Sequence, residues 1–249
     1  MPYLRAAIQF ITILPAGRTP AYHPREMIAY FPAVGLILGL LLAAFDALVL
    51  QFWPGGLVAP VLDVLLLVLL TGALHLDGLA DSADGLFGHR DRETVLSIMK
   101  DSRIGVMGMV AVICGLAIKF AGISALPADT SFSRFLILLL IPGFARAGMI
   151  FGINWLPYGR PGGGTGFDLF EKPLYLKDFW GLGICLLTCL ILGWRGLWII
   201  LVFFALVSGV IFYYRRRMGC ITGDMLGAMT EVIESMLFLA ASIGVMGAP

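Results

Sequence analysis

Stretches apolar enough and long enough to cross a bilayer recur along this chain. A span needs roughly 20 mostly apolar residues. Seven segments come close, at approximately residues 27–52, 57–76, 104–126, 132–154, 179–194, 196–214 and 223–246. The fifth is short, and only a minimal break at residues 193–196 divides it from the sixth, so that pair is either a tight hairpin or something less regular. Charged residues make up 13% of the chain, against about 25% in an ordinary soluble domain. That is too little to cover a globular surface, so lipid must be the solvent over much of it. The expectation is an all-α, polytopic membrane bundle with about seven transmembrane helices, folded as one domain over residues 1–249. An apolar stretch at residues 8–14 is too short to span and reads as an interfacial helix ending at Pro15 rather than a signal peptide. The net charge of +1 points away from a nucleic-acid partner.

Orientation follows from the lysines and arginines of the short loops. With the N-terminus inside, Arg5, Arg18, Arg25, Arg90, Arg92, Lys100, Arg103, Arg160, Lys172, Lys177 and Arg215 to Arg217 all fall on the cytoplasmic side. The opposite loops carry almost no positive charge. The expected location is therefore the cytoplasmic (inner) membrane, with cation-bearing loops facing the cytoplasm. Four cysteines are present, without a CxxC motif. Cys185 and Cys189 have helical spacing inside an apolar run, where small packing residues are expected rather than a metal site or a disulfide framework.

The most informative stretch is HLDGLADSADGLFGHR at residues 75–90, at the cytoplasmic end of the second apolar run. Asp77, Asp81 and Asp84 stand at i, i+4 and i+7, one face of a helix. Three carboxylates crowded at a membrane boundary repel one another and lose hydration. A hard divalent cation, Mg²⁺ first, removes that conflict and suits oxygen ligands, and Gly78 and Gly85 leave room for close approach to the backbone.

Two more acidic segments face the same side. KDSRIGVMG at residues 100–108 leads into the third run, where Asp101 and Ser102 are either helix caps or part of the site. TGDMLGAMTE at residues 222–231 opens the seventh run, with Asp224 and Glu231 on one face and Glu234 a turn further. Ionisable groups inside an apolar run are costly and are functional or paired. Arg146 in the fourth run is either a structural partner for these acids or a clamp on phosphate. Asp46, Asp63, Lys119 and Arg134 are placed toward the opposite face and outside the site. RPGGGTG at residues 160–166 lacks the spacing of a phosphate-binding loop; its amides, around Gly164 and Gly166, either cradle phosphate or belong to a flexible loop.

An acidic, metal-binding cluster serves phosphoryl transfer, prenyl transfer or ion-coupled transport. Carboxylates, a metal and arginine suit displacement on a nucleoside diphosphate better than ester or peptide hydrolysis. No serine or cysteine nucleophile has an attendant histidine, and His75 is the only histidine within the cluster.

These residues carry a resemblance. HLDGLADxxDG at residues 75–85, IMKDSRIG at 98–105 and TGDMLGA at 222–228 resemble the signature of the adenosylcobinamide-GDP ribazoletransferase, or cobalamin synthase, family. So do FITILP at 10–15 and FPAVG at 31–35, and the likeness runs through essentially the whole chain. Cys220 departs from it, where glycine is expected. The resemblance implies a Mg²⁺-dependent membrane transferase that joins adenosylcobinamide-GDP to α-ribazole or its 5′-phosphate and releases GMP. It further implies Asp77, Asp81, Asp84 and Asp224 as metal ligands and Arg90, Arg103 and Arg146 on phosphate oxygens. Asp101 is expected as a further metal ligand or the base, Glu231 as a group supporting the ligands or the base, and His75 as the third candidate catalytic group. Asp81-x-x-Asp84-Gly85 with Arg90 beyond it is also similar to a fragment of the CDP-alcohol phosphotransferase signature, so a CDP-alcohol or prenyl transferase is the nearest alternative. A cation or metabolite transporter is the alternative of another class. Other cobalamin-pathway enzymes and a second copy of the chain are the protein partners to consider.

Overall fold

The structure is a computed structural model and describes residues 2–17, 23–127, 130–160, 166–171 and 173–243. Gly164, Arg18 and Lys172 lie outside the described residues. Among the described residues ten helices follow in order: α1 (Pro2–Ile11), α2 (Pro24–Phe52), α3 (Val58–Thr71), α4 (Leu74–Leu86), α5 (Arg92–Ile98), α6 (Val106–Ser124), α7 (Phe132–Trp155), α8 (Trp180–Cys189), α9 (Trp194–Arg217) and α10 (Gly223–Ala241). No strand is present among the described residues; an isolated parallel bridge joins Tyr158 to Ile221.

Four helices, α2, α6, α7 and α9, are long and apolar enough to cross a membrane. The expectation of about seven spans is corrected in three places. The second run is not one straight helix: α3 and α4 pass the test only together and are bent by 89°. Gly72 and Ala73 both take left-handed backbone conformations at that break, with φ of 58° each. The fifth run yields only the ten residues of α8 and a short 3₁₀ turn, Leu190–Leu192. The seventh yields α10, whose three carboxylates, Asp224, Glu231 and Glu234, leave it outside the set of uninterrupted apolar spans, and which is largely buried as a central helix of the bundle. The expected interfacial helix is α1, which turns Ala6, Ala7 and Ile11 inward.

Close backbone approach holds the centre together. Gly35 and Gly39 of α2, one turn apart, face the α7 backbone at Pro142–Gly143 and Leu139 so tightly that a Cβ at either would overlap it. Small residues at i and i+4 are how helices pack where lipid removes the hydrophobic drive. Gly196 does the same against the Cys189 carbonyl and closes the α8–α9 hairpin, with Gly193 at φ 61° in the turn. Helix α7 is buried along nearly its whole length, whereas α6 and α9 turn most of their surface outward.

Loops read as lying on one side do meet at one end. Arg217 donates to the Gly88 and Arg90 carbonyls at 2.7 and 2.9 Å. Arg215 donates to the Trp155 carbonyl at 3.1 Å. At the other end Arg134 grips Asp46 with two hydrogen bonds of 2.7 and 2.6 Å and stands 3.8 Å from Asp63. That triad is the partner set for Asp46 and Asp63, which the sequence placed outside the site.

Candidate active site

The acidic motif occupies α4, which crosses the first turns of α10. Two glycines make the crossing possible. A Cβ on Gly78 would stand 2.6 Å from the Asp224 carbonyl oxygen, and one on Gly227 would stand 3.3 Å from the His75 Cα. Asp77 and Asp81, one turn apart on α4, thereby come beside Asp224 in the first turn of α10. Asp81 is within electrostatic reach of Asp77, Asp224, Arg160 and Asp84, and Asp224 of Arg160 and Asp77. Thr222 caps α10, its hydroxyl accepting from the Met225 amide at 3.3 Å, and the helix N-terminus adds partial positive charge beside Asp224.

Arg160 was read from sequence only as a loop cation, and it stands at the centre of this group. Its Nη2 donates to Asp224 Oδ2 and to the Met99 carbonyl, the latter at 3.2 Å. The Tyr158–Ile221 bridge delivers it there: the Gly159 amide donates to the Ile221 carbonyl at 2.9 Å, and the Ile221 amide to the Pro157 carbonyl at 3.0 Å. Cys220, the departure from the family pattern, packs on this bridge. It is fully buried, and a Cβ on Gly159 would meet its sulfur at 2.6 Å. The only sequence signal for Arg160 was a cation at the mouth of a glycine-rich loop.

The other candidates separate into three places. Asp84 turns toward α6, whose backbone amides at Gly105 and Gly108 donate to its two oxygens at 2.6 and 2.8 Å; it works there as a cap for the start of α6. A cavity of about 350 Å³ beside it is shared by Asp84, Arg90, Asp101 and Arg103. Arg90 donates to the Asp84 carbonyl at 2.9 Å. Arg103 pairs with Asp101 at 2.5 Å on the surface, and its hydrogen bonds hold the Asp101 carboxyl down at about 2.

Arg146 and Glu231 are elsewhere. Arg146 is fully buried and pairs with Glu234. Lys119 donates to Glu231 and Glu234, each at 2.7 Å. The quartet of two cations and two carboxylates is formally neutral and ties α6, α7 and α10 together. Arg146 thus takes the structural role of the two left open. Lys119, expected toward the opposite face, instead lies with these glutamates, because α6 and α10 run in the same direction from the same end. His75 is buried, and neither ring nitrogen has a partner among the described residues. It lines a cavity of about 90 Å³ with Asp77, Gly78, Gly166, Gly223 and Asp224, so Gly166 does reach the acidic group.

A family profile described as Cobalamin-5-phosphate synthase matches residues 3–242. The chain belongs to that family. It is 40% identical over 242 residues to a protein of Pseudomonas putida named adenosylcobinamide-GDP ribazoletransferase, covering 96% of this chain and 97% of that one. Proteins of the same name from Syntrophobacter fumaroxidans and Desulforamulus reducens are 37% and 33% identical, covering 95% and 97% of this chain and 96% of each relative. No solved structure matches it.

What this site can hold follows from its donors. Among the described residues no three His, Cys, Asp or Glu side chains are already drawn into a metal cage. Asp77, Asp81 and Asp224 nevertheless supply oxygen donors alone, and a single guanidinium, Arg160, answers three carboxylates. The donor chemistry and the uncompensated negative charge fit Mg²⁺, which is bound through one or two carboxylates, several waters and substrate phosphates rather than a closed protein cage.

Proposed function

We infer that this chain is an adenosylcobinamide-GDP ribazoletransferase, a Mg²⁺-dependent enzyme of the late steps of cobalamin synthesis that works at the cytoplasmic face of the inner membrane. The observation that carries this reading is the convergence of Asp77, Asp81, Asp224 and Arg160 in a chain that matches the family over nearly all its length. The loop cations support the orientation, since they gather at the end that holds the acids.

The reaction joins two substrates. A ribose hydroxyl of α-ribazole, or of its 5′-phosphate, attacks the phosphorus attached to the cobinamide arm. The new O–P bond forms as the P–O–P bridge breaks, and GMP leaves with the distal phosphate. The hydroxyl proton passes to a carboxylate of the cluster. Asp77, Asp81 and Asp224 would hold Mg²⁺, which would neutralise the diphosphate and stabilise the leaving oxygen. Asp84 contributes only through lone pairs left over from its two amide bonds. Arg160 binds diphosphate oxygens as the substrate draws it off Asp224, its planar fork suiting two of them. Arg90 and Arg103, at the neighbouring cavity, bind outlying phosphate of either substrate. Between Asp101 and the clustered carboxylates, the cluster is the better proton acceptor, because a carboxyl held at about 2 is a weak base.

Purified protein given adenosylcobinamide-GDP and α-ribazole 5′-phosphate with Mg²⁺ is expected to release GMP and form the cobalamin product. Absence of GMP with both acceptors, or CMP release from a CDP-alcohol under the same conditions, sinks the reading.

A further inference from the structure

Beside Tyr158 lies a cavity of about 480 Å³ that the reaction as described does not use. Its walls are the end of α7, at Asn154 and Trp155, then Tyr158, Phe167, Phe170 and Glu171. Three features mark it as a place for a flat heterocycle. Four aromatic residues stand in its wall beside aliphatic ones such as Ile153, Leu156 and Leu174, with Tyr158 packed 5.7 Å from Phe167 and 5.1 Å from Phe170 between centroids, while Trp155 and Phe167 keep nearly half their surface open. Two polar residues line it, both exposed to solvent: neither Asn154 nor Glu171 has a hydrogen bond or ion pair to another described residue. Finally, it adjoins the phosphate end. Only Gly159 separates Tyr158 from Arg160, about 7 Å of extended chain. The same short segment serves both sites, Gly166 lining the cavity at Asp77 and Asp224 and Phe167 lining this one.

We propose that this cavity is the guanine subsite, with Glu171 reading the base. The proposal rests on the transferase reading above and names where its nucleotide sits. Guanine is the nucleobase whose Watson–Crick edge presents two adjacent donors, N1–H and the N2 amine. An ionised carboxylate, an acceptor only, meets both at once. The Asn154 amide donates to O6 or N7, and the aromatic rings take the faces of the purine. The benzimidazole of the other substrate does not fit as well. Glycosylated, it carries no N–H donor, and it would leave Glu171 facing an aromatic cleft unanswered. A site built to hydrogen-bond a group rejects the analogue that lacks it.

The experiment measures binding of GMP, IMP and AMP to the full-length protein in detergent, by calorimetry or tryptophan fluorescence, together with the acceptor KM. IMP lacks the N2 amine, and AMP lacks both donors. GMP is expected to bind the wild type about 10- to 100-fold more tightly than IMP, as one hydrogen bond to a charged group implies. Glu171→Gln is expected to bring GMP and IMP within about threefold of each other, leaving the KM for α-ribazole 5′-phosphate unchanged. Asn154→Ala is expected to weaken GMP and IMP alike. A Glu171→Gln protein that keeps the wild-type GMP preference overturns the proposal, as does one whose only defect is a raised acceptor KM. If the wild type releases GMP in the transferase assay but Glu171→Gln is indifferent, the subsite alone is wrong. If the wild type neither binds nor releases GMP, the transferase reading falls with it.

Discussion

Gly78 on α4 lies against the backbone of Asp224 on α10, leaving no room for a side chain between them: a Cβ would stand 2.6 Å from the Asp224 carbonyl oxygen and 3.1 Å from its Cα. Backbone cannot move aside as a flexible side chain can. Gly78→Ala is therefore expected to push the two helices apart, costing about 1–3 kcal/mol and separating Asp77 and Asp81 from Asp224. Thermal unfolding in detergent and Mg²⁺-dependent GMP release should both suffer. Gly183→Ala on α8, where nothing lies within 4 Å, is the matched control and should change neither. A Gly78→Ala enzyme with wild-type stability and rate contradicts the crossing.

Arg160 bridges Asp224 and the Met99 carbonyl, poised beside the acids. Removing one preorganised donor to developing charge typically costs about 10²- to 10³-fold in rate, and Arg160→Ala is expected to fall in that range. Arg160→Lys should recover little, since an ammonium cannot reproduce a two-pronged contact. Steady-state assays of both variants decide it; a rate within threefold of wild type would take Arg160 out of the reaction.

Asp84 and its neighbours on α4 should respond differently to the same change. Asp77→Asn, Asp81→Asn and Asp224→Asn each remove a charge from the cluster, so the Mg²⁺ concentration for half-maximal activity is expected to rise in each. Asp84→Asn instead weakens charge-assisted bonds from the Gly105 and Gly108 amides. Its main effect should be on stability, about 1–3 kcal/mol, with a smaller shift in Mg²⁺ dependence. Equal shifts for all four aspartates would make Asp84 a full ligand, and no shift in any would remove the metal from this site.

Much of this site could be read without coordinates because its acids sit within short motifs at helical spacing. Asp77 and Asp81 share a face by arithmetic alone, and the glycines beside them announce close packing. What could not be read were pairings across the chain. Arg160 meets Asp224 over 64 residues and Lys119 meets Glu231 over 112, and no local pattern encodes either. The break at Gly72 and Ala73 was hidden for another reason: hydrophobicity continues across it, so one run reads as one span although the backbone turns by 89°. Likewise α10 looks like an ordinary span by its apolar residues, and only its burial shows that its glutamates are answered by Lys119 and Arg146.

Those glutamates make a stability prediction. Among the described residues Lys119 is the ion-pair partner of Glu231, with Arg146 within electrostatic reach, and it shares Glu234 with Arg146. Lys119→Met would leave buried carboxylate charge without its partner, which typically costs about 3–5 kcal/mol. Adding Glu231→Gln removes that stranded charge, so the double variant is expected to be more stable than Lys119→Met alone. Thermal unfolding of the wild type, both single variants and the double variant gives the coupling. Additive losses with no recovery would mean that the pair does not form.

Asp101 carries the last prediction, on pH. Arg103 holds both of its oxygens, with Nε at 3.0 and 3.1 Å and Nη2 at 2.5 Å, and these bonds bring the carboxyl from its ordinary 3.8 to about 2. The sign follows from which form is favoured. The anion is stabilised, so the pair is complete above the ordinary carboxylate value and is lost only as pH falls from there through about 2. Asp101 therefore carries constant charge from pH 5 to 9, and no limb of the activity profile in that window belongs to it. Asp101→Asn is expected to change the rate, since it frees Arg103, but to leave the acid limb of kcat/KM where the wild type has it. An acid limb displaced by half a pH unit or more in Asp101→Asn would instead make Asp101 the titrating base and displace the clustered carboxylates from that role.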